Sequence, residues 1–156
     1  MRRIKLICFG KLKEPHWRQA CAEYEKRLQA FCRLETVELP PAALPDAPSA
    51  AQIEQALLAE AKLAWEKIPK DAGVAALCVE GRQLSSEQFA AWLGAQPNET
   101  AIVVGSSFGL HESVKTQAQL RLSLSHMTFP RQLARVNLLE QIYRAFQIQT
   151  GGKYHK

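Results

Sequence analysis

The amino-acid sequence predicts an α/β protein, with a mostly parallel sheet and helices on both of its faces. Its 156 residues suit a single domain covering residues 1–156. Short apolar runs alternate with longer segments in which apolar residues recur every three or four positions, as in parallel sheets crossed by helices. The composition, 47% hydrophobic and 22% charged, is globular, and no apolar run approaches the roughly 20 residues of a membrane-spanning helix. No membrane partner is therefore expected.

The first half of the chain is expected to hold two strands and two helices. The apolar run Ile4–Phe9 ends at a glycine and predicts the first strand. Apolar residues recur at helical spacing from about Glu14 to Phe31, which predicts a helix, and Leu34–Leu39 alternates as a second strand. Four prolines in residues 40–48 exclude a helix or a central strand, so this segment is expected to be an exposed loop. The Ala- and Leu-rich residues 50–68 favour a second helix.

The third strand and third helix follow. Val74–Val79 is a candidate buried strand, and the residues Glu80–Arg82 after it predict a turn. Ser85 with Gln88 three residues later forms a capping-box pattern, which opens a helix that continues through Leu93.

The last part of the chain contains two more strands and two more helices. Thr100–Val104 is a short apolar strand that leads into the loop GSSFG. Glu112–Gln117 is expected to form a short helix, and Leu120–Leu124 a fifth strand. Pro130 begins a long final helix that ends before Gly151.

Ligands of parallel sheets bind at the carboxyl ends of the strands. This rule selects three loops as candidate site segments: residues 79–82, 105–109 and 125–130. The glycines of the loop 105–109 leave backbone N–H groups accessible to a ligand, although an ordinary tight turn has the same composition. Neither GxxxxGK[ST] nor GxGxxG is present, which disfavours binding of a nucleoside triphosphate or of NAD.

Two apolar residues in the third loop, Met127 and Phe129, are unusual for a solvated segment and should be buried. A cofactor with an adenine ring and a thioether would suit a pocket lined by them. Simple packing into the core explains the same residues equally well.

Positive charge is concentrated at the two ends of the chain. Residues 1–33 hold nine Lys and Arg against three acids, and residues 131–156 hold five against one. Residues 34–130 hold six bases and eleven acids. This pattern is typical of a protein that binds a polyanion such as nucleic acid. Charges scattered over a solvated surface would explain the same numbers equally well. On the final helix, Arg131, Arg135 and Arg144 suit phosphate contacts.

The four cysteines include no CxxC pair and lie in apolar stretches: Cys8, Cys21, Cys32 and Cys78. They are expected to be reduced core thiols in a reducing compartment, and no metal site is expected. The amino-terminal stretch lacks a secretory core and a cleavage site, so a cytoplasmic location is expected.

Four stretches of the sequence carry a resemblance to a known family. They are FGKLKEPHW, VEGRQLSSE, IVVGSSFGLH and, most specifically, LSLSHMTFPRQLARVNLLEQIYRAFQIQTGGKYHK. Together they resemble the RlmH family, ribosomal RNA large subunit methyltransferase H, within the SPOUT superfamily of knotted methyltransferases. The resemblance covers essentially the whole chain in order.

This resemblance implies an enzyme that uses S-adenosylmethionine to methylate N3 of a pseudouridine in a hairpin loop of 23S rRNA on assembled ribosomes. It also implies a homodimer and a trefoil knot in the carboxyl-terminal part of the chain. The knot could not be predicted from the sequence pattern, because protein chains rarely thread through their own loops. The final helix would lie at the subunit interface, where its apolar face has a second surface to bury. By motif, the residues that hold the cofactor are Leu77, Gly105, Leu124, Ser125, His126, Met127, Thr128 and Phe129.

The sequence departs from the family at one position near this site. Many relatives have histidine where this chain has Arg131, so no histidine base is assigned there. N3 of pseudouridine is a weakly acidic imide whose proton must be removed. The hypothesis is that Arg135, with Arg131, orients the nucleotide and stabilises the developing anion, while Tyr154 or His155 of the partner subunit approaches the base. The predicted RNA-binding residues are Arg131, Arg144 and Lys153.

Two other functions stay open at this point. A non-catalytic protein that binds RNA or the ribosome would have the same basic ends but would not bind S-adenosylmethionine. A small α/β enzyme that uses a nucleotide would need a phosphate-binding loop, which the sequence lacks.

Overall fold

The computed structural model describes residues 1–156, in which strands and helices alternate. The strands are β1 (Arg2–Phe9), β2 (Cys32–Leu39), β3 (Gly73–Gln83), β4 (Glu99–Val104) and β5 (Leu120–Ser123). The helices are α1 (Pro15–Leu28), α2 (Ala50–Lys67), α3 (Ser86–Ala95), α4 (Glu112–Gln117) and α5 (Arg131–Gln149).

The five strands form one sheet in the order β2-β1-β4-β3-β5, and every neighbouring pair is parallel. Successive residues of a strand point to opposite faces, so each strand contributes to two cores. On β1, for example, Leu6 packs with α1, α3 and α5, whereas Ile7 packs with α2 and α4. The predicted fold class, a parallel α/β sheet with helices on both faces, is confirmed. The trefoil knot stays a prediction.

The first helix is shorter than the sequence pattern predicted. It ends at Leu28 rather than Phe31, and β2 begins at Cys32 rather than Leu34. Phe31 lies in the turn between them, and its ring stacks on Phe146 of α5 at 5.8 Å between centroids. Its apolar character therefore reflects packing against α5 and not a further helical turn.

The turn predicted at residues 80–82 is wrong, because β3 continues to Gln83. Both Leu77 and Arg82 of β3 pair with Leu122 of β5, so the four residues between them form a bulge. A bulge redirects the side chains that it carries. The capping box predicted at Ser85 and Gln88 is confirmed by both of its hydrogen bonds, at 2.8 and 3.1 Å.

The apolar face of α5 is buried within its own protomer. Leu139 and Ile142 are fully buried, Phe146 nearly so, in the core shared with α1 and α3. These three residues therefore need no second surface. Tyr143, the fourth residue of this face, is half-buried, and the subunit interface at α5 stays a prediction. All four cysteines are free, as predicted, and three of them are buried; Cys78 is half-buried.

Candidate functional site

A cavity of about 790 Å³ opens at the carboxyl ends of β3, β4 and β5. Its walls come from the three loops that the strand-end rule selected, here residues 77–80, 104–110 and 124–132. The volume lies in the range of roughly 300–1,000 Å³ that is usual for small-molecule sites. We call this space the strand-end cavity.

The loop after β4 forms one wall and turns tightly. The amide of Gly109 donates to the carbonyl of Ser106 at 2.9 Å. A side chain at Gly105 would overlap the Gly109 carbonyl, so only glycine fits there. The wall is therefore built from backbone in close contact, which a ligand can approach directly.

A buried carboxylate holds this loop from behind. Glu60 of α2 is only 4% exposed. It accepts hydrogen bonds from the Ser106 hydroxyl at 2.7 Å and from the backbone amide of Ala42 at 2.9 Å. Glu60 thus joins the proline-rich loop, whose function the sequence left unexplained, to the wall of the strand-end cavity.

The bulge in β3 forms the opposite wall with Cys78, Val79 and Glu80. Lys115 of α4 donates to the Glu80 carboxylate at 2.5 Å. This hydrogen bond lowers the pKa of Glu80, so the pair carries opposite charges at neutral pH. The charges of Lys115 and Glu80 on this side of the cavity therefore cancel.

Most of the residues predicted for the cofactor line the strand-end cavity. They are Leu77, Gly105, Leu124, Ser125, Met127, Thr128 and Phe129. His126 is exposed and does not line it. The expectation that Met127 is buried is wrong, because its side chain is 75% exposed at the rim; Phe129 is half-buried. Val79 and Phe108, also exposed, extend this apolar rim.

The first two turns of α5 carry two arginines in different environments. The Arg131 guanidinium lies beside Gly10, lines the cavity and makes no ion pair. Arg135 is buried and donates from Nη1 to Glu38 at 2.8 Å, while its Nε has no hydrogen-bond partner. The sequence pattern predicts that Arg135 contacts phosphate, and this prediction is wrong for the present structure because the guanidinium is buried.

Two thiols lie close to this buried arginine. Burial raises the pKa of Cys8 to about 12 and also raises the pKa of Cys21, while the charge of Arg135 opposes both shifts. The two cysteines are therefore protonated at neutral pH. They lie beneath α5 and do not line the strand-end cavity.

The carboxyl-terminal tail folds back on its own protomer. Arg144 pairs with Glu140 at 2.5 Å, and its guanidinium lies 4.7 Å from the centre of the Tyr154 ring. His155 contacts Glu87 of α3 at 2.5 Å and Arg144 at 3.1 Å. Lys153 is exposed.

These tail contacts are far from the strand-end cavity. Arg144 lies 13 positions after Arg131 on α5, which corresponds to about 20 Å along the helix. Within one protomer, the tail side chains and the cavity therefore occupy separate places.

Sequence reasoning missed several residues of the site. Glu60 had no local signal, since one glutamate in a helix is ordinary and its partners lie 18 and 46 positions away. A glycine such as Gly81 is equally common in a turn and in a bulge, so the sequence pattern does not distinguish the two. No three His, Cys, Asp or Glu side chains form a group that could hold a metal ion. None of the helices is both long and apolar enough to cross a membrane.

The parallel fold and its strand-end cavity agree with a comparison of the chain with family models. The model described as "Predicted SPOUT methyltransferase" matches residues 2–155, so the protein is a methyltransferase of the SPOUT class. The sequence is 44% identical to ribosomal RNA large subunit methyltransferase H of Streptococcus equi subsp. zooepidemicus (strain MGCS10565), over 99% of each chain. It is 42% identical to the protein of that name from Streptococcus suis (strain 05ZYH33), again over 99% of each. The chain belongs to the ribosomal RNA large subunit methyltransferase H family.

A solved structure has the same fold with a diverged sequence. It is a probable methylase family protein from Haemophilus influenzae Rd KW20, with a TM-score of 0.56 and 16% identity. The match covers 99% of this chain and 70% of that one.

Proposed function

We propose that this protein uses S-adenosylmethionine to methylate N3 of a pseudouridine in a hairpin loop of 23S rRNA, on assembled ribosomes in the cytoplasm. The observation that carries the proposal is the strand-end cavity, formed in a SPOUT methyltransferase by the loops that ligands of parallel sheets contact. The names of the relatives support ribosomal RNA of the large subunit as the substrate. The choice of N3 of pseudouridine rests on the sequence resemblance.

The residues of the cavity fit S-adenosylmethionine. Its volume suffices for a ligand of this size, and the apolar side chains of Leu77, Met127 and Phe129 suit an adenine ring and a thioether. The absence of a side chain at Gly105 lets the Gly109 carbonyl pack against it, which keeps this loop tight along the cavity. No side chain caps the start of α5, so its first N–H groups favour a carboxylate. The cofactor-binding residues are proposed to be Leu77, Gly105, Leu124, Ser125, Met127, Thr128 and Phe129. His126, also expected from the sequence, is left out because it does not line the cavity.

When bound, S-adenosylmethionine supplies an electrophilic methyl group attached to a positively charged sulfur. Transfer would require the N3 proton to pass to solvent, so that the freed electron pair could form the new N–CH₃ bond while the electron pair of the C–S bond stays on sulfur. The protein must hold N3 in line with this methyl group and stabilise the negative charge that develops on the imide. Arg131 is suited to this task, because its guanidinium has no ionic partner and lines the cavity.

Arg135 is better suited to positioning than to direct contact with the base. Its guanidinium lies one helical turn below Arg131 and is engaged with Glu38. The ion pair anchors the start of α5 to the end of β2, which holds Arg131 at the mouth of the cavity. A direct role of Arg135 in orienting the nucleotide would require it to leave Glu38.

The tail is proposed to act across a homodimer. Tyr154 and His155 lie about 20 Å along α5 from the cavity of their own protomer, so they would approach a base bound to the partner subunit. The exposed apolar side chains Val79, Phe108 and Met127 at the rim favour a covering surface of this kind. Arg144 and Lys153 are the RNA-binding residues proposed near the tail.

The test uses ribosomes from cells that lack this protein. Purified protein and isotopically labelled S-adenosylmethionine are expected to add one methyl group to one position of 23S rRNA, and mass spectrometry of nuclease fragments locates it. Calorimetric titration with S-adenosylmethionine is expected to show binding without RNA. Binding of ribosomes without binding of this cofactor would overturn the proposal in favour of a non-catalytic RNA-binding protein.

A further inference from the structure

The basic residues of the amino-terminal segment lie at opposite edges of the sheet. Those at the start of β1 have partners within the protein. Arg2 donates to three backbone carbonyls, at residues 94, 96 and 97. Arg3 pairs with Glu99 at 3.1 Å, and Lys5 donates to the Lys67 carbonyl at 3.0 Å. This group stabilises the edge remote from the cavity and leaves little charge for a partner.

The bases after β1 lie at the edge where the cavity opens. Residues 10–14 connect β1 to α1, and both Lys11 and Lys13 are exposed and make no ion pair. Arg18 of α1 donates to the carbonyls of Leu12 and Lys13 at 3.1 and 2.6 Å. These bonds satisfy carbonyls of the loop and fix its backbone, because a guanidinium offers several donors in a rigid plane.

Arg131 joins this loop to the strand-end cavity. Gly10 has a φ of +89°, and a Cβ at this position would lie 3.6 Å from the Arg131 guanidinium. Arg131 thus lies across the backbone of the loop while it also lines the cavity. The four side chains Lys11, Lys13, Arg18 and Arg131 form one positively charged surface, which we call the cationic surface. Glu14 is the acid in this loop.

The opposite rim of the cavity has no comparable excess of charge. Lys115 pairs with Glu80 at 2.5 Å and Arg121 with Glu112 at 3.8 Å. Arg82 is then the exposed base of β3 without an ion pair, against the four bases of the cationic surface. A polyanion near the cavity is therefore attracted to one side, over the loop between β1 and α1.

An aromatic pair lies next to the cationic surface. The rings of His16 and Trp17, in the first turn of α1, are 4.8 Å apart, and His16 is exposed. Exposed rings beside lysines and arginines are typical of surfaces on which unpaired nucleotides stack while their phosphates are neutralised.

We propose that the cationic surface binds the phosphate backbone of the RNA strand that carries the target nucleotide into the strand-end cavity. This inference rests on the proposed function and adds the direction from which the RNA enters. An RNA strand fits better than an acidic protein, because the surface combines unpaired cations with an exposed ring beside a cavity that must receive a base.

The test compares two double variants that remove the same charge. Lys11→Gln/Lys13→Gln neutralises the cationic surface. Lys26→Gln/Arg33→Gln is the control, since Lys26 and Arg33 are exposed, make no ion pair and lie towards the opposite edge. We expect the first variant to raise KM for ribosomes about tenfold with kcat within twofold of wild type, and the control to match wild type. The slope of log affinity for a 23S rRNA fragment against log salt should fall by about 1.4 to 1.8, the loss of two phosphate contacts.

Calorimetry with S-adenosylmethionine separates the two proposals. All variants should bind it like wild type, because neither pair lines the cavity. An unchanged KM and salt slope in Lys11→Gln/Lys13→Gln, or an equal change in the control, would overturn the cationic surface. The proposal would also be overturned if Lys11→Gln/Lys13→Gln bound protein-free rRNA as tightly as the wild-type protein does but had a raised KM for ribosomes. That result would indicate a ribosomal protein as the partner of this surface. If the wild-type protein transferred no methyl group to ribosomes, the proposed function would be refuted. Binding of the 23S rRNA fragment by the two double variants would still test the cationic surface.

Discussion

The Glu60 carboxylate accepts a hydrogen bond from the Ser106 hydroxyl at 2.7 Å, and through this contact α2 supports the wall of the strand-end cavity. The same carboxylate accepts from the Ala42 amide, so it joins the proline-rich loop, α2 and the loop after β4. A buried carboxylate without these donors would be strongly unfavourable. The arrangement therefore couples stability to the shape of the cavity.

Replacement of Ser106 by alanine tests this coupling. Ser106→Ala leaves Glu60 buried with one donor fewer, which should lower the free energy of unfolding by about 1–3 kcal/mol. We also expect severalfold weaker binding of S-adenosylmethionine, because the wall loses its support. Urea unfolding and calorimetry measure the two effects. Glu54→Gln is the control, since Glu54 pairs with His111 at an exposed position and should change stability by less than about 1 kcal/mol. Wild-type affinity in a destabilised Ser106→Ala protein would contradict the coupling.

The ion pair between Arg135 and Glu38 permits a double-mutant cycle. Arg135→Met leaves Glu38 without its partner, and Glu38→Gln leaves the buried guanidinium without its counter-charge. Glu38→Gln should cost up to about 3 kcal/mol of stability because the guanidinium that it leaves unpaired is buried, and Arg135→Met should cost less because Glu38 is exposed to solvent. The double change should cost less than the sum of the two. Denaturant unfolding measures the cycle. A similar loss of kcat in Glu38→Gln and Arg135→Met supports positioning through the ion pair, whereas a kcat lost in Arg135→Met and kept in Glu38→Gln would show that Arg135 itself contacts the base.

Cys78 offers a direct measure of cavity occupancy. It is half-buried in the bulge and lines the strand-end cavity, whereas Cys8, Cys21 and Cys32 are buried in the core. We expect a thiol reagent to label Cys78 first in the folded protein and saturating S-adenosylmethionine to slow this labelling severalfold. Peptide mass spectrometry identifies the labelled residue. Equal labelling rates with and without S-adenosylmethionine would indicate that the cavity binds something else.

The buried thiols predict how stability depends on pH. Burial raises the pKa of Cys8 to about 12 and that of Cys32 to about 11, from an ordinary value of 9.0. Below pH 9 these thiols are protonated in both the folded and the unfolded chain. Between pH 9 and 11 the unfolded thiols lose protons while the folded ones keep them, so the free energy of unfolding should fall as the pH rises. Urea unfolding at several pH values measures this slope, which should be shallower in Cys8→Ala.

The elements of this fold could be predicted largely because their signals are local. The apolar run of β4, the capping box at Ser85 and the proline-rich loop each depend on a few neighbouring residues. The site depends on contacts between distant positions, such as Arg135 with Glu38, 97 residues apart. The burial of Arg135 follows from how α5 packs on the sheet. The spacing of apolar residues along the sequence carries no information about that packing.

The position of the tail leads to a prediction about how two subunits share one site. Removal of Lys153–Lys156 deletes the contacts of Tyr154 and His155 on α5 and α3, which are partly exposed, so stability should fall by only about 1 kcal/mol. Methyl transfer to ribosomes should be lost, with S-adenosylmethionine binding intact by calorimetry. Glu87→Gln is the matched control, because it removes the intramolecular partner of His155 and leaves every tail residue in place; it should retain turnover.

Mixed dimers decide whether the tail acts on the partner subunit. Gly105→Val fills the space against the Gly109 carbonyl and should abolish S-adenosylmethionine binding while it keeps the tail. Neither this variant nor the truncated chain should be active alone. A mixed dimer holds one intact cavity on the truncated chain and one intact tail on the other. If the tail completes the partner's site, co-expression should restore about a quarter of the wild-type rate, since half of randomly formed dimers are mixed and each has one working site. If the tail serves its own protomer, no cavity has its tail and the mixture stays inactive.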